Sequence, residues 1–174
     1  MNWQDMINDG FSRVLEVVEP AFEGLKPADI DRLPKPDCNS MGWIMWHLTR
    51  GQDAQIADLA GWEQLWIKDE WYAKFARAKD ADDTGYGHTS EQVAAFKSPP
   101  RKVLLDYYKA SAEAAKRYLA GLKPADLDVQ LKESWFNPPP TIGVRIISIL
   151  ADCLEHAGEI SYVRGLLGGK GWAD

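Results

Sequence analysis

Cysteine is nearly absent. Cys38 and Cys153 are the only two in 174 residues, too few for a disulfide scaffold, so two free thiols are expected in a reducing compartment. Basic residues are in deficit, with 20 Lys and Arg against 26 Asp and Glu and a net charge of -6. Affinity for a phosphate backbone draws on clustered Lys and Arg that release counterions. No such cluster occurs, which argues against nucleic acid as a partner. Long apolar runs are also missing: nothing approaches the ~20 residues that span a bilayer. The start, "MNWQDMINDG", carries acids where a secretory signal would carry a basic region. The expectation is a cytoplasmic protein with no membrane partner. Nor does any stretch alternate apolar and polar residues over a strand's length, which removes sheet architectures.

What the chain has in quantity is helical periodicity and tryptophan, eight of them, large rings suited to a bulky core or to the walls of an apolar pocket. In "WQDMINDGFSRVLEVVEPAF" the residues Met6, Phe11, Val14, Leu15, Val18 and Phe22 recur at helical spacing, predicting a helix that closes near Gly24. After a proline-rich turn, Asn39 or Ser40 can cap a second helix from about Met41 to the Gly61 region. The middle, residues 62–96, reads as a long connection: a short aromatic helical piece, a Gly and Asp loop, and a capping box from Thr89 to Gln92. "RKVLLDYYKASAEAAKRYLAG" gives a third long helix ending at Gly121, and Thr141 caps a fourth that runs to the glycines near the C-terminus. The prediction is one all-α domain over residues 1–174, a four-helix bundle.

An internal echo divides it. "GLKPADID" follows the first helix and "GLKPADLD" the third, and "SMG" (40–42) and "TIG" (141–143) open the second and fourth. Two pseudo-symmetric helix-loop-helix halves account for this; reuse of a good stop and a good start signal would also produce it.

Two stretches carry candidate chemistry: "WHLTRGQD" with His47, and "ADCLEHAGEIS" with Asp152, Cys153 and His156. Helical residues four apart share a face. If the second and fourth helices cross or run antiparallel, His47 meets Asp152 and His156 inside the bundle. Two histidines and a carboxylate leave a coordination position open, as in a catalytic divalent site. The third ligand is Asp152 by the i, i+4 spacing, with Cys153 and Glu159, each three residues from His156, as alternatives. The competing account is a pair of core histidines with satisfied nitrogens.

The segments "NSMGWIMWHLTRGQDAQ" and "LADCLEHAGEISYVRGLLGGKGW", on the second and last helices of a four-helix chain of this length, resemble the DinB-like superfamily. The resemblance covers nearly the whole chain. It implies a bundle that holds a divalent metal, zinc or nickel, through one side chain of the second helix and two, four residues apart, of the last. Those positions fall on His47, Asp152 and His156. Many relatives have histidine where this chain has Asp152; the mycothiol-dependent maleylpyruvate isomerase branch has a glutamate, longer than Asp152, and Cys153 or Glu159 would then be the substitute. Activity follows from fold less directly than metal does.

Other residues invite readings of their own. His88, in a loop-like "DDTGYGHTSEQ", is expected at the surface. Cys38 could gain thiolate character from the helix that follows it, a plain thiol being the commoner case. Arg145, on the stripe of His156, could hold a substrate carboxylate in a two-point grip or a surface ion pair. Trp43 and Trp46, with Trp135 and Phe136, could wall a pocket over the metal or fill the core.

The function that the resemblance implies is that of a metal-dependent S-transferase, the divalent ion binding a low-molecular-weight thiol such as mycothiol or bacillithiol as thiolate. A metal-dependent hydrolase and a non-catalytic, stress-associated metal-binding bundle are the alternatives. A homodimer formed by helix faces is expected, with "WEQLWIKDEWYAKF" contributing.

Overall fold

The computed structural model describes residues 1–132 and 137–168. Four long helices dominate it: α1 (Trp3–Ala21), α2 (Met41–Ala60), α3 (Arg101–Ala120) and α4 (Ile142–Leu166). Their starts follow from the caps. Asn2 accepts the Asp5 amide at 2.8 Å while the Asp5 carboxylate takes the Asn2 amide at 3.0 Å, a reciprocal box that satisfies two otherwise orphaned donors. Ser40, not Asn39, caps α2 through the Trp43 amide (3.2 Å), and Thr141 caps α4 through the Val144 amide (3.3 Å). Gly61 closes α2 at φ +66°, in the left-handed region where a Cβ is costly. The first helix stops at Ala21, three residues short of Gly24, just past Pro20.

The repeated octapeptides behave alike at their heads and differ at their tails. Each places its aspartate on the backbone N–H of its own lysine, Asp29 on Lys26 at 3.1 Å and Asp126 on Lys123 at 2.6 Å. "PADI" then closes a short α-turn, Pro27–Ile30, and "PADLD" a 3-10 turn, Pro124–Asp128. Ile30 is buried, whereas Leu127 is only half-buried, so the first copy is drawn tighter by the core.

In the bundle α1 and α2 each pack on α3 and α4. The helices of each sequence half are therefore diagonal to one another, and each half is completed by the other. Phe11, Val14 and Val18 of α1, Trp46 and Leu48 of α2, Tyr107, Tyr108 and Leu119 of α3, and Ile149, Ala157 and Ile160 of α4 make the core. Buried side chains of this size each stabilise by about 1.5–3 kcal/mol relative to exposure. Among the described residues there is no strand, only an isolated bridge between Gln130 and Thr141, and no helix is long and apolar enough to cross a membrane.

The middle connection contains short helices at Leu65–Lys68, Trp71–Lys74 and Ser90–Ala94. The last is capped by Thr89 in the box read from sequence, with the Gln92 amide on Thr89 at 3.3 Å and the Thr89 amide on Gln92 at 2.8 Å. Most of the aromatic rings of residues 62–75 are turned inward. Leu65, Trp66, Trp71 and Phe75 are buried against α2 and α3, and of the large aromatics in that stretch Trp62 is the exposed one.

Candidate functional site

The helices α2 and α4 run antiparallel. Contacts pair His47 with His156, Gly51 with Asp152, Gln52 with Cys153 and Gln55 with Arg145. The rings of His47 and His156 meet edge-on, centroids 5.0 Å apart and planes at 75°. His156 Nε2 lies 3.6 Å from Asp152 Oδ1. The three residues singled out in the sequence thus share one place. Gly51 faces Asp152 across the helix pair: a Cβ there would lie 3.7 Å from Asp152 Oδ2, an ordinary contact distance.

Each ring is anchored through Nδ1. His47 Nδ1 is 2.6 Å from the Thr84 carbonyl oxygen, which can only accept, so Nδ1 carries the proton and donates. His156 Nδ1 is 2.6 Å from Glu159 Oε2 and donates to that carboxylate. In both neutral rings Nε2 is left with its lone pair. Metal-ligating histidines are held this way, by a carbonyl or carboxylate behind the other nitrogen. Burial lowers the pKa of His47, with the neighbouring His156 adding to the effect and the Thr84 carbonyl opposing it. The hydrogen bond to Glu159 raises that of His156 against burial, and Glu159 is lowered in return. The two imidazoles are biased toward opposite charge states.

The third donor is the loosest. The Asp152 side chain is 44% exposed against 19% for His156. Among the described residues no group of three His, Cys, Asp or Glu side chains stands in an arrangement ready to hold a metal ion. By donor chemistry the set fits one, with two imidazole lone pairs of fixed tautomer and a carboxylate adjacent. The alternatives to Asp152 are differently employed. Cys153 is fully buried, donates to Gln52 Oε1 at 3.3 Å, and its thiol is pushed well up by burial. Glu159 sits behind His156 as its Nδ1 partner.

Trp43 stacks on His47 at 4.8 Å with planes 16° apart and is itself buried in the core, as is Trp46. Trp135 and Phe136 lie outside the described residues. His88 is not the surface residue its loop suggested. Its side chain is 13% exposed; Nδ1 accepts from Trp43 Nε1 at 3.2 Å and Nε2 donates to Asp83 Oδ1 at 3.0 Å. Cys38 lies in the turn before Ser40 and both cysteines are free. Arg145 donates to Gln55 Oε1 at 3.0 Å and helps line a cavity of about 550 Å³ with Pro138–Pro140, Val144 and Ser148. Gln55 and Ser148 are each eight residues from the histidines, so this cavity lies roughly 12 Å further along the same pair of helices.

Residues 11–160 match the DinB superfamily, most of the chain. The chain belongs to the DinB superfamily. A crystal structure titled as the conserved protein of a locus from Enterococcus faecalis has the same fold, with a TM-score of 0.87 at 30% identity over 96% of this chain and 98% of that one. No curated protein matches. Within this DinB-superfamily chain, sequence reading missed the Thr84 carbonyl that anchors His47. The available signal was "TGYG": Gly85, at φ +87°, could not carry a Cβ without meeting Trp46 at 2.8 Å, Trp43 at 3.0 Å and His47 Nδ1 at 3.1 Å.

Proposed function

We propose that the chain is a divalent-metal-dependent enzyme acting on small molecules, of the kind that transfers or activates a low-molecular-weight thiol. The observation that carries this reading is the shared anchoring of His47 and His156 through Nδ1, which leaves two Nε2 lone pairs in one place. His47, His156 and Asp152 would hold the ion, zinc or nickel by its nitrogen preference. A bound cation would supply Lewis acidity, favouring the deprotonated form of a thiol or water brought to it. Trp43 covers one face of His47 and keeps bulk water from that side.

Arg145 is proposed as the residue that receives an acidic group of the substrate, because its cavity opens along the same pair of helices as the histidines and pairs a guanidinium with apolar proline walls. The exposure of Asp152 favours an accessible site over a closed structural one. Elemental analysis of purified protein, paired with a screen of mycothiol and bacillithiol for thermal stabilisation, tests the reading. Stoichiometric metal with a thiol-dependent shift supports it; metal without any thiol or substrate response favours a non-catalytic binder; no metal overturns both.

We also propose that two copies pair through α4. Val144, Ile147, Leu154, Tyr162 and Leu166 are exposed at intervals that keep them on one side of the helix, with Ala151 and Gly158 between. A monomer across micromolar concentrations in sedimentation would overturn this.

A further inference from the structure

The segment Ala81–Gly85 crosses α2 beside His47 and is gripped from beneath by a residue with no place in the site described above. Arg50, one turn after His47, is fully buried. Its Nε donates to the Asp83 carbonyl at 3.1 Å and its Nη2 to the Ala81 carbonyl at 2.8 Å. Nη2 also reaches Gln64 Oε1 (2.9 Å), and Nη1 reaches Tyr107 Oη (3.3 Å) and lies 3.5 Å from Asp53 Oδ2. Asp53 is held in turn by the Leu65 and Trp66 amides and the Tyr107 hydroxyl. Burying such a pair is an expensive way to tie down a loop, since apolar packing would do it at lower cost. What the guanidinium offers beyond packing is a rigid fork that fixes two carbonyls of one short segment in register.

The same segment is tied from its other side. The Asp83 carboxylate takes Arg77 at 2.6 Å and His88 at 3.0 Å, and His88 receives Trp43, which stacks on His47. Between these two ties the Thr84 carbonyl is delivered to His47 Nδ1 at 2.6 Å. Gly85 lets the chain lie this close, since any Cβ there would strike Trp46, Trp43 and His47.

We propose that Ala81–Gly85, clamped by the buried Arg50, is a positioning strap that fixes His47 in its Nδ1–H tautomer and so keeps Nε2 available as a ligand. Arg50 and Gly85 act on His47 through the strap and touch no substrate. The purpose assigned to the strap rests on the metal-dependent reading; its effect on the ring does not.

The test is nitrogen NMR of the imidazoles in the full-length, metal-free protein, which has three histidines to assign. The native chain should show His47 protonated at Nδ1. Arg50→Lys keeps a charge opposite Asp53 but replaces the fork with one ammonium that cannot hold both carbonyls, and His47 should move toward the Nε2–H tautomer. Gly85→Ala lifts the strap from above with Arg50 untouched, and should produce the same change even where Arg50→Lys does not fold. Gln64→Ala removes an acceptor of the same guanidinium outside the strap, and should lower the melting temperature while leaving the His47 tautomer as it was. Zinc affinity should fall by about 10–100-fold in both strap variants, as for other residues that orient a ligand. His47 remaining wholly Nδ1–H in Gly85→Ala and in folded Arg50→Lys, or shifting as much in Gln64→Ala, overturns the strap. Zinc that leaves the native imidazole signals unchanged, while the tautomer still switches in the variants, overturns the metal reading and upholds the strap.

Discussion

His88 and the pair His47–His156 use the same side chain a few ångströms apart and end in different chemical positions. His88 spends both nitrogens inside the protein, accepting from Trp43 and donating to Asp83, and stacks on Trp46 at 5.7 Å. His47 and His156 each spend one, always Nδ1, and keep the other. The difference lies in the partner type. An indole N–H can only donate, so it consumes an imidazole lone pair; a carbonyl or carboxylate can only accept, so it consumes the proton and leaves the lone pair. A histidine is thus a structural linker or a candidate ligand according to what stands behind it, and burial alone does not distinguish the two.

The largest test of that contrast is removal of each ring. His47→Ala or His156→Ala should abolish stoichiometric divalent metal, and with it the metal-linked stability, about 2.7 kcal/mol when free metal is at 100 times Kd. The second substitution should then cost much less than the first, because the ion has already gone. A thermal double-mutant cycle run with and without chelator measures this. Additive losses with chelator-insensitive melting would place His47 and His156 in the same class as His88.

Glu159→Gln is the next step down. The ring of His156 stays, but its Nδ1 partner loses its charge, and metal affinity should fall by about 10–100-fold, read by competition with a chromophoric chelator. His88→Ala should do the reverse of the ligand variants. It leaves Trp43 Nε1 without its acceptor and should destabilise by about 1–3 kcal/mol in denaturant melts, with metal stoichiometry preserved and affinity lowered only as far as the strap loosens. Loss of stoichiometric metal in His88→Ala at saturating ion would erase the distinction between the two kinds of histidine.

The legible part of this molecule is the part written in side-chain periodicity. Apolar spacing and the Ser40 and Thr141 caps located α2 and α4, and the antiparallel pairing of those helices is what brings His47 to Asp152 and His156. The strap was not legible, because its contacts run from Arg50 to the carbonyls of Ala81 and Asp83 and from Thr84 to His47, and a backbone carbonyl leaves no residue type to read. His88 misled for a related reason: its Gly and Asp surroundings look like exposed loop, and only the return of that loop onto Trp43 and Trp46 buries it. The aromatics of residues 62–75 suggest a dimer face by their number, and a count does not say which way the rings turn; Trp66, Trp71 and Phe75 pack inward on Trp46 of α2 and Tyr107 of α3. Which side of His156 is used by Glu159 is a rotamer outcome, so its spacing of three residues fitted ligand and partner equally.

The smallest effect is the pH dependence, and it sharpens the comparison within the ligand pair. His156 is raised above its ordinary value, chiefly by the hydrogen bond to Glu159. In the metal-free protein its contribution to stability is therefore fully present below the unfolded value, about 6.5, and is lost as pH rises through the folded value. His47 is lowered, chiefly by burial, so its contribution is present above about 6.5 and is lost as pH falls through its own folded value. The two slopes oppose each other near neutrality and should partly cancel in the native chain. His156→Gln should unmask the His47 slope, giving metal-free stability that rises with pH across the range from mildly acid to neutral. Metal uptake needs both rings neutral, so near neutral pH it should expel a proton from the raised His156, and apparent affinity should increase with pH. Calorimetry in two buffers of different ionisation enthalpy counts that proton, and Glu159→Gln, which removes the group that raises His156, should reduce the count. Uptake without proton release in the native chain, or equal release in Glu159→Gln, would mean that the Glu159 bond is not what holds the proton on His156.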